Sequence, residues 1–212
     1  MRAMGRRWAL WATWVAAPAM ALTLDDVARE GELRLLAKRP DPGAYRYEAD
    51  VHIDAASLEQ GVVTMRTCHR QLDPTHRIVV AFNPQRVRRI DIASVEGVGR
   101  AWVEGRRVEL ADVQRGAQVC IDLVSQALEP DGPDRWRLHA GPLMRRYLDG
   151  YLPMEATLHV RWPPGLLQVT GTSPAPQPGV ELSVRPDGGT LHIIFAGRLS
   201  ATWGLQRPTQ RH

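Results

Sequence analysis

Two cysteines and two histidines are the residues of this chain whose types and spacing first point to chemistry. Cys68 is followed directly by His69, His76 lies seven positions after His69, and the second cysteine is Cys120. A cysteine beside a histidine fits a pair of metal ligands or an activated thiol, whereas two cysteines in one chain also fit a disulfide. These alternatives require different redox compartments, so the compartment decides among them.

Residues 1–21 have the pattern of a secretory signal peptide. Three arginines give the segment a positive start, the following 14 residues up to Ala21 carry no charge, and it ends in Ala-Met-Ala. We predict cleavage after Ala21 and a periplasmic protein, because this apolar part is too short to span about 30 Å of hydrocarbon. An uncleaved N-terminal anchor is the alternative. No later segment is long and apolar enough to cross a membrane, so we expect no stable span after removal of the signal.

Export favours the disulfide, because two cysteines in one chain outside the cytoplasm usually pair. We therefore predict a bond between Cys68 and Cys120, which would close a loop of roughly 50 residues and contribute about 4 kcal/mol in the chain-entropy model. Both cysteines alternate with the apolar positions of their strands, so we expect the bond on an outer face or at a strand end. His69 and His76 are then interpreted as neighbours of the bond and of a turn.

The charge of the chain does not point to a nucleic-acid partner. The sequence has 27 basic and 23 acidic residues, a net charge of +4, and the signal contains three of the arginines and no acid. The remaining 24 basic and 23 acidic residues leave a net charge of +1. The densest basic group, Arg86, Arg88 and Arg89, is interleaved with apolar residues, whereas a nucleic-acid binder needs a clustered basic face.

Alternation of apolar and polar residues with a period of two dominates the chain. In residues 45–53 and 154–162 every second side chain is apolar and most of its neighbours are charged or polar, as in strands with one solvated face. Two hairpins are predicted, one turning at Asp187-Gly188-Gly189 and one near Glu104-Gly105. Further strands are predicted over residues 32–37, 62–68, 77–82, 87–95, 118–124, 135–139, 166–171 and 199–203.

Many short strands divided by glycine, proline and aspartate favour a mainly β fold, an antiparallel β-sandwich with one or two short helices. The helices are predicted over residues 23–31 and 141–150. We expect a single domain over residues 22–205, with residues 129–134 as the alternative boundary between two lobes. Residues 206–212 are predicted to form a flexible tail.

Three strand histidines are candidate metal ligands. His52 and His159 lie opposite the large apolar residues of their strands, and His192 lies in the return strand of a predicted hairpin. They could converge on zinc or copper if their strands are neighbours, with Met65 or Cys68 as further ligands. Because no pair has the close spacing of a ligand motif, we assign no metal and predict no cofactor.

Motifs of known catalytic sites are absent from the sequence. It contains no Gly-x-Ser-x-Gly elbow, no His-Glu-x-x-His zinc motif and no glycine-rich phosphate loop. Carboxylates such as Asp122 or Asp149 would have to pair in space to hydrolyse a glycoside, and their spacing does not indicate that they do. We therefore assign no catalytic residue, and a protein without catalytic activity is favoured over an enzyme.

A group of arginines and tyrosines is the clearest candidate for binding a ligand. Arg145, Arg146, Tyr147 and Tyr151 lie within seven positions, and arginine forks and tyrosine hydroxyls suit anionic or sugar-like groups. The alternative is that Tyr147 closes one end of the sandwich while the arginines are solvated.

From Tyr45 to Val98 the chain resembles the N-terminal β-domain of M1-type aminopeptidases. In that domain a Y-x-L-x-L strand precedes strands of the form G-x-V-x-M/I, I-V-V and I-x-x-V. The corresponding segments here are residues 45–53, 61–65, 78–80 and 90–95. The zinc motif of the family is absent and the chain is too short for the catalytic domain, so the resemblance implies a stand-alone, non-catalytic sandwich. The whole chain also resembles uncharacterised exported proteins of Gram-negative bacteria.

These observations lead to three hypotheses about function. The first is an exported periplasmic module without catalytic activity, which binds an envelope protein or a small ligand. Exposed sheet edges suit such docking. The alternatives are a hydrolase acting on an envelope polymer and a periplasmic metal-handling protein.

Overall fold

The computed structural model describes residues 31–39, 41, 43–147 and 150–208. Regular structure in this part of the chain is almost entirely β-strand, so the prediction of a mainly β protein is confirmed. The strands are β1 (Arg34–Leu35), β2 (Arg46–His52), β3 (Val62–Leu72), β4 (Thr75–Ala81), β5 (Val87–Glu104), β6 (Arg107–Gln126), β7 (Leu128–Pro130), β8 (Arg135–Leu143), β9 (Arg145–Tyr147), β10 (Gly150–Leu152), β11 (Met154–Arg161), β12 (Gln168–Ser173), β13 (Val180–Arg185), β14 (Gly188–Ala196) and β15 (Leu199–Gln206). The predicted signal peptide, and all but the last residue of the predicted helix over 23–31, lie outside the described residues.

The strands form a nine-stranded sheet, a four-stranded sheet and a two-stranded hairpin. The order of the large sheet is β1-β14-β11-β2-β3-β6-β4, with β13 also paired to β14 and β5 to β6. The order of the small sheet is β12-β15-β8-β7, and the hairpin consists of β9 and β10. Within the described residues all pairings are antiparallel except that of β2 with β11, where Ala49 is in register with Leu158. The predicted antiparallel arrangement is therefore wrong for this one pair.

The large and the small sheet pack face to face around a first hydrophobic cluster. Alternate residues of β2, namely Tyr47, Ala49 and Val51, are buried there together with Leu138 and Trp203 of the small sheet. Burial of a large apolar side chain contributes about 1.5–3 kcal/mol. The period-two pattern of the sequence thus becomes the inner face of each sheet.

The long hairpin of β5 and β6 encloses a second hydrophobic cluster. The pairing register shifts between Glu96 and Val98, and β6 exchanges its neighbour β4 for β3 between Val113 and Ala117. Such bulges bend the strands that contain them. Two predicted strands, over residues 87–95 and near 101–104, are one continuous strand, because the glycine-containing stretch between them forms the bulge. The cluster contains Leu72, Val80, Val87, Ile90, Val108, Leu110, Val113, Ala117, Val119, Ile121 and Leu123.

A short helix, α1 (Ala55–Gln60), lies between β2 and β3 and was not predicted. Its cap is local: the Asp54 side chain accepts from the backbone N–H of Ser57 at 2.7 Å, and the Ser57 hydroxyl accepts from the N–H of Asp54. Gly61 ends the helix with φ of 71°, where a Cβ atom would lie 2.6 Å from the carbonyl oxygen of Leu128. The cap residues are the signal that would have predicted this helix.

The helix predicted over residues 141–150 is wrong. The described residues of that segment belong to the end of β8, to β9 and to the start of β10. Arg146 pairs with Tyr151 across the hairpin. Local spacing of Leu143 and Tyr147 suggested one helical turn, but contacts with Asp73, which is far away in sequence, hold the segment extended.

The predicted lobe boundary and tail differ in detail from the structure. Residues 129–134 contain the turn of the β7–β8 hairpin rather than a linker, and the single domain over 22–205 stays a prediction. Strand β15 extends to Gln206, and the N–H of Arg207 donates to the carbonyl of Asp134 at 3.0 Å. The tail predicted from residue 206 therefore starts later. Across the described part of the chain, no helix has the length and apolar character needed to cross a membrane.

Candidate functional site

A cavity of about 830 Å³ lies where the two hydrophobic clusters meet. Tyr45 and Met65 pack against both clusters and line this cavity. Its wall comes from the inner face of the large sheet, from β8 and from the connection between β4 and β5. Six of its apolar residues are only partly buried, namely Tyr45, Met65, Ile78, Phe82, Ala140 and Leu143. The two sheets thus leave apolar surface uncovered between them.

A buried histidine and tyrosine form the first polar pair of the cavity wall. His69 projects from the inner face of β3 and is 7% exposed, and its Nδ1 lies 2.5 Å from the hydroxyl of Tyr45. Burial lowers the pKa of His69 to about 4, so the ring is neutral at pH 7. Burial also raises the pKa of Tyr45, which keeps its proton. When the tyrosine donates to Nδ1, the other ring nitrogen of His69 carries the histidine proton.

Arg145 and Tyr147 of β9 form the second polar group of the wall. The Tyr147 hydroxyl donates to Oδ2 of Asp73 at 2.6 Å, and Nη2 of Arg145 donates to the same oxygen. Burial opposes ionisation of Asp73, but the hydrogen bonds from Tyr147 and Arg145 hold its pKa below the usual value. Asp73 lies between β3 and β4, so this contact fixes the β9–β10 hairpin against the edge of the cavity.

The four residues predicted to bind a ligand lie together on this hairpin. Arg145, Arg146 and Tyr147 line the cavity, and the guanidinium of Arg146 lies 5.6 Å from the ring centre of Tyr151. Arg145 also lies 5.8 Å from the ring centre of Tyr45, which links the hairpin to the buried pair. Their role in binding stays a prediction.

The predicted disulfide between Cys68 and Cys120 is confirmed. The two cysteines lie directly opposite each other on neighbouring strands β3 and β6. Neither belongs to a hydrophobic cluster, as the alternation of side chains predicted. Cys68 is therefore a bonded residue and not a free thiolate ligand.

The three candidate metal ligands lie on the outer face of the large sheet. The Nδ1 atom of His159 lies 2.9 Å from the Thr190 hydroxyl, and Nδ1 of His192 lies 3.1 Å from the Thr157 hydroxyl. His52 is exposed at the end of β2. In the residues that the structure describes, no three His, Cys, Asp or Glu side chains are grouped as metal ligands.

The carboxylates considered for glycoside hydrolysis do not form a described pair. Asp122 accepts from Arg66 at 2.7 and 2.8 Å on the outer face of the large sheet. Asp149 lies outside the described residues.

Sequence reasoning missed the position of His69. It was set aside as a neighbour of the disulfide, yet adjacent residues of a strand point to opposite faces. His69 shares its side of β3 with Val63 and Met65, and this parity was the available signal. The cavity itself has no such signal, because it depends on the distance between two sheets.

Comparison with known proteins gives only distant structural matches. No family model and no curated protein matches the chain. M1 zinc metallopeptidase from Deinococcus radiodurans matches with 11% identity and a TM-score of 0.38, over 82% of this chain and 42% of that one. Legionella pneumophila aminopeptidase A, in complex with aspartic acid, matches with 9% identity and a TM-score of 0.39, over 85% of this chain and 23% of that one.

The chain spans less than half the length of these structures. The resemblance to the M1-type β-domain, stated above from residues 45–98, is matched by structures of the same group of enzymes. A similarity of this size carries no argument about activity or ligand.

Proposed function

We propose that the protein is an exported module without catalytic activity that binds a small ligand in the cavity between its sheets. The cavity is the observation that carries the proposal. Its volume of about 830 Å³ lies in the range of about 300–1,000 Å³ that small-molecule sites occupy. A ligand would cover the partly buried apolar residues that the two sheets leave uncovered.

Buried polar atoms in the cavity wall support the same proposal. Nε2 of His69, Nε of Arg145 and Nε1 of Trp203 all belong to lining residues, and all lack a hydrogen-bond partner among the described residues. A buried polar group without a partner costs about 1–3 kcal/mol. A ligand with an acceptor atom could satisfy such a group, whereas a purely structural core would normally contain its own partners.

Export is supported by the predicted signal peptide together with the disulfide, since such bonds persist in oxidising compartments. Among the described residues, neither the hydrolase nor the metal-handling alternative has a comparable group of side chains. An envelope protein as the partner is a different outcome of the same purification, because a stable partner would co-purify with the chain.

The first experiment is native mass spectrometry of the full chain, expressed with its own leader and purified from the periplasm without detergent. We expect a fraction of the protein to carry a small molecule that is released on unfolding. A second measurement is the fluorescence of the neutral apolar reporter N-phenylnaphthylamine, which should rise on binding and fall when an extracted ligand is added.

A variant that fills the cavity tests whether binding occurs there. Ala140 lies on the inner side of β8 and lines the cavity, so Ala140→Phe should weaken reporter binding by at least about tenfold, or 1.4 kcal/mol. Val184→Phe is the control, because Val184 is 52% exposed and lies outside the cavity. Equal binding by both variants and the natural protein, or no binding at all, would overturn the proposal.

A further inference from the structure

The charged residues of the cavity wall are all of one sign. Five arginines line the cavity, and none of its described lining residues is an aspartate or a glutamate: Arg77, Arg86, Arg145, Arg146 and Arg198. We infer that the ligand is an amphiphile, with an apolar chain inside the cavity and an anionic head group at its arginines. This inference rests on the proposed function and names the class of ligand for the same site.

Three of the five arginines have no carboxylate partner among the described residues. Arg77 pairs with Glu109 at 2.8 Å, and Arg145 pairs with Asp73. Arg86, Arg146 and Arg198 form no such pair within the described part of the chain. They come from three separate segments, since Arg86 precedes β5, Arg146 lies in β9 and Arg198 lies between β14 and β15.

Carboxylates near the wall are already occupied by other partners. Asp73 accepts from Arg145 and Tyr147, and Glu129 lies 3.0 Å from Nε2 of the lining residue His139. They therefore leave the positive charge of the three other arginines uncompensated. A cationic ligand would meet only like charge there, whereas a carboxylate or phosphate could accept paired hydrogen bonds from a guanidinium.

The solvent exposure of these arginines places the head group at the outer part of the cavity. Arg146 and Arg198 are exposed and Arg86 is half-buried, whereas Tyr47, Leu158 and Trp203 of the same wall are buried. A charged group is stable where water still reaches it, and an apolar chain gains about 0.8 kcal/mol for each methylene group that it buries. The division of the wall into a charged outer part and an apolar inner part matches the two parts of an amphiphile.

The experiment compares ligands that share one chain length and differ in the head group. Dodecanoate, dodecanol and lysophosphatidylglycerol with a twelve-carbon chain are each titrated, below their micelle concentrations, against the full chain loaded with N-phenylnaphthylamine. We expect the two anionic compounds to displace the reporter at concentrations at least about tenfold lower than dodecanol. Whichever anion displaces at the lower concentration identifies a free carboxylate or a lipid phosphate as the better source.

A triple variant, Arg86→Gln, Arg146→Gln and Arg198→Gln, removes the three unpaired charges. It should raise the displacing concentration of the anions by about tenfold or more and leave dodecanol unchanged. The control is the triple variant Arg34→Gln, Arg100→Gln and Arg185→Gln, which changes the net charge equally at arginines outside the cavity lining. Melting temperatures of both variants check that they are folded.

The outcomes separate this inference from the proposed function. If dodecanol and dodecanoate displace the reporter equally, or if both triple variants behave alike, the anionic head group is excluded while binding in the cavity stands. If the reporter binds and no amphiphile displaces it, the inference is overturned. If the reporter itself does not bind, the proposed function and the inference fall together.

Discussion

The hydroxyl of Tyr45 lies 2.5 Å from Nδ1 of His69, which joins the residue before β2 to the inner face of β3. Both side chains line the cavity, so a neutral polar pair lies inside a largely apolar wall. Burial lowers the pKa of His69 to about 4. The protonation of this histidine therefore links the stability of the protein to pH.

The first prediction concerns this pH dependence. In the unfolded chain His69 binds a proton near pH 6.5, whereas the folded protein accepts it only near pH 4. Because the unfolded state binds more protons between these values, the free energy of unfolding should fall by about 3 kcal/mol as the pH drops through this window. Above about pH 6.5 this contribution is complete and constant.

The variant His69→Gln should lose this part of the pH dependence. Urea unfolding of the variant and of the natural protein at several pH values between about 7 and 4 measures the difference. His76→Gln is the control, because the side chain of His76 is fully exposed and its removal should leave the curve unchanged. Parallel curves for His69→Gln and the natural protein would contradict the prediction.

The disulfide should stabilise the protein through the loop that it closes. Cys68 and Cys120 are 52 residues apart, so the double variant Cys68→Ser, Cys120→Ser should lose about 4 kcal/mol of unfolding free energy in the chain-entropy model. Unfolding curves with and without reductant provide the measurement. Reductant should destabilise the natural protein and leave the double variant unchanged; a natural protein that is insensitive to complete reduction would refute this expectation.

Gly189 is required by the packing of Trp203. A Cβ atom at position 189 would lie 2.9 Å from the buried indole ring and 3.1 Å from the carbonyl oxygen of Ser183. We expect Gly189→Ala to lower the unfolding free energy by about 1–3 kcal/mol, because an added methyl group in a packed core forces its neighbours to move. Gly171→Ala, which has no atom within 4 Å of the added carbon, is the matched control. Equal midpoints of thermal unfolding for both variants would exclude this role of Gly189.

Asp73 should control the mobility of the β9–β10 hairpin. Its carboxylate accepts from Arg145 and Tyr147, so Asp73→Asn should weaken the contact that fixes the hairpin. Global stability should fall by less than about 1 kcal/mol, because the carboxylate is partly solvated. Amide hydrogen exchange in residues 145–152 should become faster.

The control for Asp73 is Asp131→Asn. Asp131 forms a surface pair with Arg137 at 2.8 Å, far from the hairpin in the fold of the small sheet. Its loss should leave exchange in residues 145–152 unchanged. If Asp73→Asn also leaves that exchange unchanged, the hairpin is fixed by other contacts.

The sequence by itself determined most of the local structure of this protein. Alternation over residues 45–53 and 154–162 predicted β2 and β11, because the pleat of a strand sends neighbouring side chains to opposite faces. Parity also predicted that the bond between Cys68 and Cys120 lies outside the core. The helix α1 was missed, although the cap residues Asp54 and Gly61 were a local signal for it.

Only the tertiary structure decided which strands pair and what lies between the sheets. The parallel pairing of β2 with β11 joins segments about a hundred positions apart, and the sequence pattern of each strand is the same for either direction. The extended form of residues 145–147 depends on Asp73, and the position of His69 in a cavity depends on the spacing of two sheets. Periodicity reports the environment of one segment, whereas pairing and cavities arise from contacts between distant segments, so their chemistry appears only in the folded chain.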